Sequence, residues 1–177
     1  MANTTYTSYD EVMNICSDIF EKKTRDYGTA WRILRLSSIT DQIMIKAQRI
    51  RTIQQTGHQK ISEGIDAELI GIINYGLIAL TQLGLSDETS VEMTYEEVAP
   101  LYAEAVRTTK ELKDAKNCDY GEAWRDMRLS SLIDIILMRL LRIKRIEDNE
   151  GKTIISEGVA ANYQDIINYA TFSLIKL

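Results

Sequence analysis

The side chains best suited to chemistry in this chain form a mixed series of cations, carboxylates and rings that occurs twice. Lys23, Tyr27, Trp31, Arg32, Arg35, Asp41 and Arg49 return 93 residues later as Lys116, Tyr120, Trp124, Arg125, Arg128, Asp134 and Arg142. If the second helix of each half is continuous, successive residues turn by about 100°, and Arg35, Ser38, Asp41 and Arg49 share a sector of about 120°. Guanidinium groups present a planar fork that matches phosphate, and a carboxylate beside them orients the fork or holds Mg2+ through oxygen. Two readings stay open for such a stripe: a salt-bridge network between helices, or a site for an anionic, metal-bound ligand.

Segment 22–28 leads into the second helix, whose free N–H groups and dipole favour an anion. The phosphate-binding candidates are therefore Lys23, Arg32, Arg35 and Arg49 with Lys116, Arg125, Arg128 and Arg142. Tyr27, Trp31, Tyr120 and Trp124 could stack on a base, although rings at helical spacing also fill cores. The candidate metal ligands are Asp41, Glu63, Asp134, Glu157 and Asp165. Only Glu63 and Glu157 are matched acids on the third helices, because Glu68 stands opposite Asn162 and Asp165 opposite Gly71. The paired acids Asp18 with Glu21 and Glu111 with Asp114 suit a solvated face. Cys16 and Cys118 are too far apart in sequence to suggest a zinc motif, and the single histidine, His58, sits in a polar loop, which disfavours a His-dependent triad.

The elements that position these groups follow from the duplication. Residues 26–38 reappear as 119–131, and after a one-residue insertion 62–64 and 72–75 reappear as 156–158 and 166–169. The first half reads as helices over 8–24, 29–55 and 63–83, with Ser8 and Glu11 as a capping box, Gly28 at the first turn and Ser62 as a cap. The second half reads as helices over 101–116, 121–148 and 157–176. Pro100 is placed just ahead of its first helix, and Thr94 with Glu97 caps a short extra turn. The third helices are apolar nearly all round, which predicts central positions. The fold class is all-α: two pseudo-symmetric three-helix repeats, 1–84 and 100–177, packed into one bundle and joined by an acidic linker, 85–99.

Composition limits the partners. With 21 Lys and Arg against 26 Asp and Glu, the net charge is −5, which disfavours a nucleic-acid partner. The hydrophobic fraction of 45% predicts a folded domain, and no apolar run is long enough to span a bilayer. No signal peptide is visible, so a cytoplasmic location is expected.

The Lys-x-x-Asp-Tyr-Gly run at 23–28, the Arg-Leu-Ser-Ser-x-x-Asp run ending at Asp41, Arg49, the Ser-Glu-Gly at 62–64 and Asn74-Tyr75 resemble the nucleotide-modification-associated domain 1 family. Both halves match, as in the duplicated bacterial form of that family. The resemblance implies a role in nucleotide metabolism, because single-repeat relatives lie beside genes of DNA-base modification. Such relatives carry Asp-Lys-x-x-Arg on the second helix and an acid ahead of Asn-Tyr on the third. Here Gln42 and Ile135 follow the aspartates, and Gly71 replaces the acid in the first copy. The layout is also similar to the MazG-like and dimeric dUTPase-like all-α pyrophosphatases, whose paired acidic motifs hold Mg2+ against a triphosphate.

Two function classes follow. One is a nucleotide-binding protein with Mg2+-dependent pyrophosphohydrolase activity; the other is a non-catalytic nucleotide sensor or a helical assembly protein. Both take a nucleotide or nucleotide-like phosphate ligand or a second copy as partner, a homodimer being compatible with either.

Overall fold

The computed structural model describes residues 5–58, 60–61, 63–155 and 157–177. These residues form six α-helices and no strand: α1 (Tyr9–Tyr27), α2 (Leu36–Thr56), α3 (Ile65–Leu83), α4 (Tyr95–Tyr120), α5 (Leu129–Asp148) and α6 (Val159–Lys176). Ser8 caps α1 as expected, its hydroxyl accepting from the Glu11 N–H. Ser62 lies outside the described residues; the residue at the N-cap of α3 is Gly64.

Two boundaries differ from the sequence reading. The second helix of each half does not begin at 29 or 121. Gly28 and Gly121, at φ of 66° and 64°, end α1 and α4 in a conformation that L side chains resist, and one turn of 3-10 helix follows, Ala30–Ile33 or Ala123–Asp126. Ile33, at the end of that turn, is 79% exposed, and Arg35 and Arg128 are extended N-cap residues rather than helical ones. Helix α4 starts earlier than expected, because Thr94 and Glu97 form a complete capping box that opens the helix itself. Pro100 then falls in its second turn, on an exposed position, where the carbonyl that loses an N–H partner faces water.

Helices α2, α3, α5 and α6 make the central bundle, with α3 against α6 and α2 against α5 across the pseudo-twofold; α1 and α4 lie against α3 and α6. The α3/α6 approach is very close. A Cβ at Gly76 would fall 2.6 Å from Ile167 Cγ1, so no larger residue fits without moving the helices. Leu69, Ile72, Ile73 and Leu77 of α3 and Tyr163, Ile166, Ile167 and Ala170 of α6 are fully buried.

Two carboxamides, Asn168 buried and Asn74 partly buried, lock the two repeats together. The Asn168 side chain donates to the Thr109 carbonyl of its own repeat at 3.3 Å and accepts from the Tyr9 hydroxyl of the other at 2.7 Å. Asn74 does the same, donating to the Cys16 carbonyl at 3.2 Å and accepting from Tyr102 at 2.7 Å. Cys16 and Thr109 are equivalent positions, so the motif Asn-Tyr on the third helices is a cross-repeat fastener. A second network has no counterpart. Thr40 lies 2.5 Å from the Tyr163 hydroxyl and donates to Glu147 at 2.9 Å, while burial raises the Glu147 carboxyl above the ordinary range.

Asn168→Ala should cost about 1–3 kcal/mol in denaturant unfolding, because it orphans both a tyrosine hydroxyl and a carbonyl. A double-mutant cycle with Tyr9→Phe should show coupling of at least ~0.5 kcal/mol. Glu147 gives a pH signature. Its folded-state affinity for a proton exceeds that of the unfolded chain, so its contribution to stability is full in acid and is lost as pH rises through the folded value. Glu147→Gln should therefore raise the melting temperature at pH 7, with the advantage vanishing near pH 4, as read by melts across that range.

Candidate functional site

Each repeat carries a cleft where the end of its first helix, the 3-10 turn and its third helix meet. In the first repeat the cleft encloses about 710 Å3 and is lined by Lys23, Tyr27 and Trp31, with Lys46, Gly71 and Tyr75. In the second it encloses about 370 Å3 and is lined by Lys116, Tyr120 and Trp124, with Asp165, Asn168 and Tyr169. Gly71 and Asp165 are equivalent positions, as are Tyr75 and Tyr169, so these are one site in two states of divergence.

The second cleft is filled from within. Asp165, 2% exposed, meets Lys116 at 2.6 Å and Arg139 at 3.0 Å, so a carboxylate of the chain sits between two cations and offsets one of their two charges. Phe172 stacks on Trp124 with centroids 4.4 Å apart, and the equivalent of Phe172 in the first repeat is the slimmer Ile78. A smaller pocket that carries its own carboxylate results.

The first cleft lacks both fillers. With Gly71 in place of the acid, Lys23 has no ion-pair partner among the described residues. Lys46, the counterpart of Arg139, lies 3.4 Å from Glu68, a carboxylate that Arg49 already holds at 2.8 Å. The Lys46 stem crosses the space where a side chain at 71 would stand, its Cε being 2.9 Å from a Cβ built there. Tyr27 is 69% exposed at the rim and Trp31 is half-buried in the wall. The indole N–H groups of Trp31 and Trp124 are buried without an acceptor. Such a cleft can hold a flat, partly apolar body with an anionic group against two ammonium ions.

The other sequence candidates lie elsewhere. Arg32 is a strut for the linker: it donates to Gln82 Oε1 and to the carbonyls of Ser86 at 3.3 Å and Thr89 at 3.1 Å. Arg125 pairs with Glu122 at 2.5 Å and covers the Trp124 ring at 4.4 Å. Arg35 and Arg128 are exposed at the starts of α2 and α5. Arg49 is engaged by Glu68 and by the Glu63 carbonyl at 2.7 Å, and Arg142 lines a separate groove.

The acids do not converge. Asp41 pairs with Lys144 at 3.0 Å and Asp134 with Arg51 at 3.8 Å, two pseudo-symmetric exposed bridges between the repeats. Glu63 and Glu157 are exposed ahead of α3 and α6, and Asp165 faces two cations. Among the described residues no three His, Cys, Asp or Glu side chains stand close enough to hold a metal ion. The donor set does not fit Mg2+. Neither thiol enters a cleft: burial pushes Cys16 up to about 12, and Cys118 is exposed.

Lys46 and Tyr75 line the cleft without being candidates by sequence, although Lys46 and Arg139 are both basic at the repeat offset, and Gly71, read from the sequence as a lost acid, opens the cleft instead.

A family model described as nucleotide modification associated domain 1 matches residues 23–83 and again 116–177. The chain belongs to that family. Each match begins at the cleft lysine, Lys23 or Lys116, and runs through the third helix, so each family unit contains one cleft almost entire. No curated protein and no solved structure matches the chain. Among the described residues, no helix is long and apolar enough to cross a membrane.

Gly71→Asp should be tolerated or stabilising, because the flexible Lys46 can yield and a helix-interior glycine is removed, worth about 0.5–1 kcal/mol. Asp165→Gly should cost more than ~1 kcal/mol, because it strips the partner from Arg139, which is four-fifths buried. Thermal melts of the two variants test the pairing.

Proposed function

We propose that the first-repeat cleft binds a phosphate-bearing nucleotide and that the protein works as a nucleotide-binding module rather than as a pyrophosphohydrolase. The carrying observation is the difference between the equivalent clefts. Where the second places Asp165 between Lys116 and Arg139, the first leaves Lys23 and Lys46 beside Gly71 in about twice the volume. A ligand anion takes the electrostatic place that Asp165 holds in the other repeat. Trp31, Tyr75 and Tyr27 then face the base. The family's association with nucleotide modification supports a nucleotide over other flat anions.

The hydrolytic reading requires carboxylates that gather a cation around the phosphates and activate water. Asp41, Asp134 and Asp165 each face a basic side chain, and Glu63 and Glu157 are exposed apart from the cleft. That arrangement favours binding without turnover.

The test is a thermal-shift series with ribo- and deoxyribonucleoside mono-, di- and triphosphates and cyclic nucleotides, with and without Mg2+, followed by chromatography of each sample. At about 100 times Kd the expected stabilisation is ~2.7 kcal/mol, or roughly 5–10 °C for a chain of this size. It should persist without Mg2+, yield no product, and vanish in Gly71→Asp and Lys23→Glu. Release of pyrophosphate with Mg2+ would overturn the reading in favour of the hydrolase. A shift that survives in both variants would place the ligand elsewhere.

A further inference from the structure

Divergence of the repeats leaves a second unbalanced region on a different face. In the first repeat Glu68 neutralises Arg49; its equivalent in the second is Asn162, and Arg142, the equivalent of Arg49, has no partner among the described residues. Arg145, one turn further along α5, is also unpaired and exposed. The acid on the third helix has thus moved by one turn, from the groove side at Glu68 to the cleft side at Asp165. Each repeat sets its third-helix acid against a different pair of cations, and Arg142 is the one left without a carboxylate in the second.

The groove left cationic lies between α5 and residues 149–155, with Glu157 as an acid in its lining against Arg139, Arg142, Arg145 and Lys152, and encloses about 890 Å3. It pairs Arg142 and Arg145 with aliphatic walls: Ile154 is 100% exposed, Ile155 94% and Leu141 57%. Aliphatic surface fully open to water beside unpaired guanidinium groups marks a macromolecular contact. Its partner must carry carboxylates next to aliphatic side chains.

This chain presents such a surface. Segment 85–99, the linker with the first turn of α4, holds five acids and no base, a charge equal to the whole net charge of −5. Asp87, Glu88 and Glu92 are exposed and have no partner among the described residues, and Leu83 and Val91 beside them are 41% and 52% exposed. The linker is also held in shape. Thr29 donates to the Val91 carbonyl at 2.7 Å and accepts from the Met93 N–H at 2.9 Å, and Arg32 grips the Ser86 and Thr89 carbonyls. A pre-formed strip of this kind docks with little loss of chain entropy.

We infer that the acidic linker of one copy docks into the Arg142/Arg145 groove of a second copy. The two surfaces are different, so the contact is head-to-tail and repeats until a ring closes or the chain of copies ends. Opposite charges set its orientation and make it sensitive to salt.

Sedimentation velocity of the full-length protein across concentrations tests this. In ~20 mM salt the average mass should rise above the 20.2 kDa of one chain as concentration increases, and in ~0.5 M salt it should fall back. The charge-reversed variants R142E/R145E and D87K/E88K/E92K change exposed positions only and should each sediment as single chains with unchanged far-ultraviolet spectra. Mixed one to one, they should associate again, because each then meets a surface of opposite charge. A wild type that stays monomeric at all concentrations in low salt, association indifferent to salt, or a mixture that remains monomeric would each overturn the inference. A monomer whose groove instead binds inorganic phosphate, lost in R142E/R145E, would overturn it in favour of a small-anion site.

Discussion

The approach of α3 to α6 is the constraint on which the other features rest. A three-helix unit of this size encloses little interior, so the fully buried residues of each third helix can leave water only against the other repeat. Gly76 permits that contact by presenting no side chain to Ile167. Once the two helices touch, Asn74 and Asn168 are brought inside, where a carboxamide must find partners for both its ends. The partners come from both repeats, so the buried polar groups fix the register that the apolar surface alone leaves loose.

That shared interior frees the periphery to diverge. The clefts lie at the ends of α1 and α4, beside the 3-10 turns, away from Gly76 and Ile167, where α3 and α6 approach most closely. A single acid placed at the level of Glu68 or one turn on, at Asp165, selects which basic groups are satisfied in each repeat. Because Arg and Lys stay charged at neutral pH, the position of the acid decides which of them is offset in each repeat. Phe172 against Ile78 adds a volume difference in the same sense, filling the cleft that already carries its own carboxylate.

The fold was legible in the sequence because helical periodicity and internal repetition are both properties of residue order. Six helices, the central place of the third ones and the capping of α1 follow from patterns within a few turns. Errors came where a local signal has two uses. The Thr94/Glu97 capping box opens a long helix as readily as a short turn, and the proline six residues on was given too much weight. The stretch from Ala30 to Ile33 keeps helical spacing of apolar residues, yet Gly28 turns the chain at its start and Thr29 is drawn to the linker by hydrogen bonds that no local pattern reveals. The site was half legible. Lys23, Tyr27 and Trp31 do share one cleft, because they lie within nine residues on one corner. Arg32, Arg49 and Asp41 were assigned to the same site by type, but their partners are Gln82, Glu68 and Lys144, up to about a hundred residues away in sequence.

Duplication inside one chain explains why this divergence is available at all. In a homodimer of single repeats, any change to one cleft appears in both, and an acid that closes one closes the other. Fusion breaks that symmetry while keeping the shared core, since Tyr9 still reaches Asn168 and Tyr102 still reaches Asn74. One cleft can then carry its own carboxylate and filling ring, Asp165 and Phe172. Its twin keeps the open volume and the unneutralised lysine that a ligand anion requires. Differences between the copies at cleft positions therefore carry more information about function than their identities, which mostly report the common scaffold.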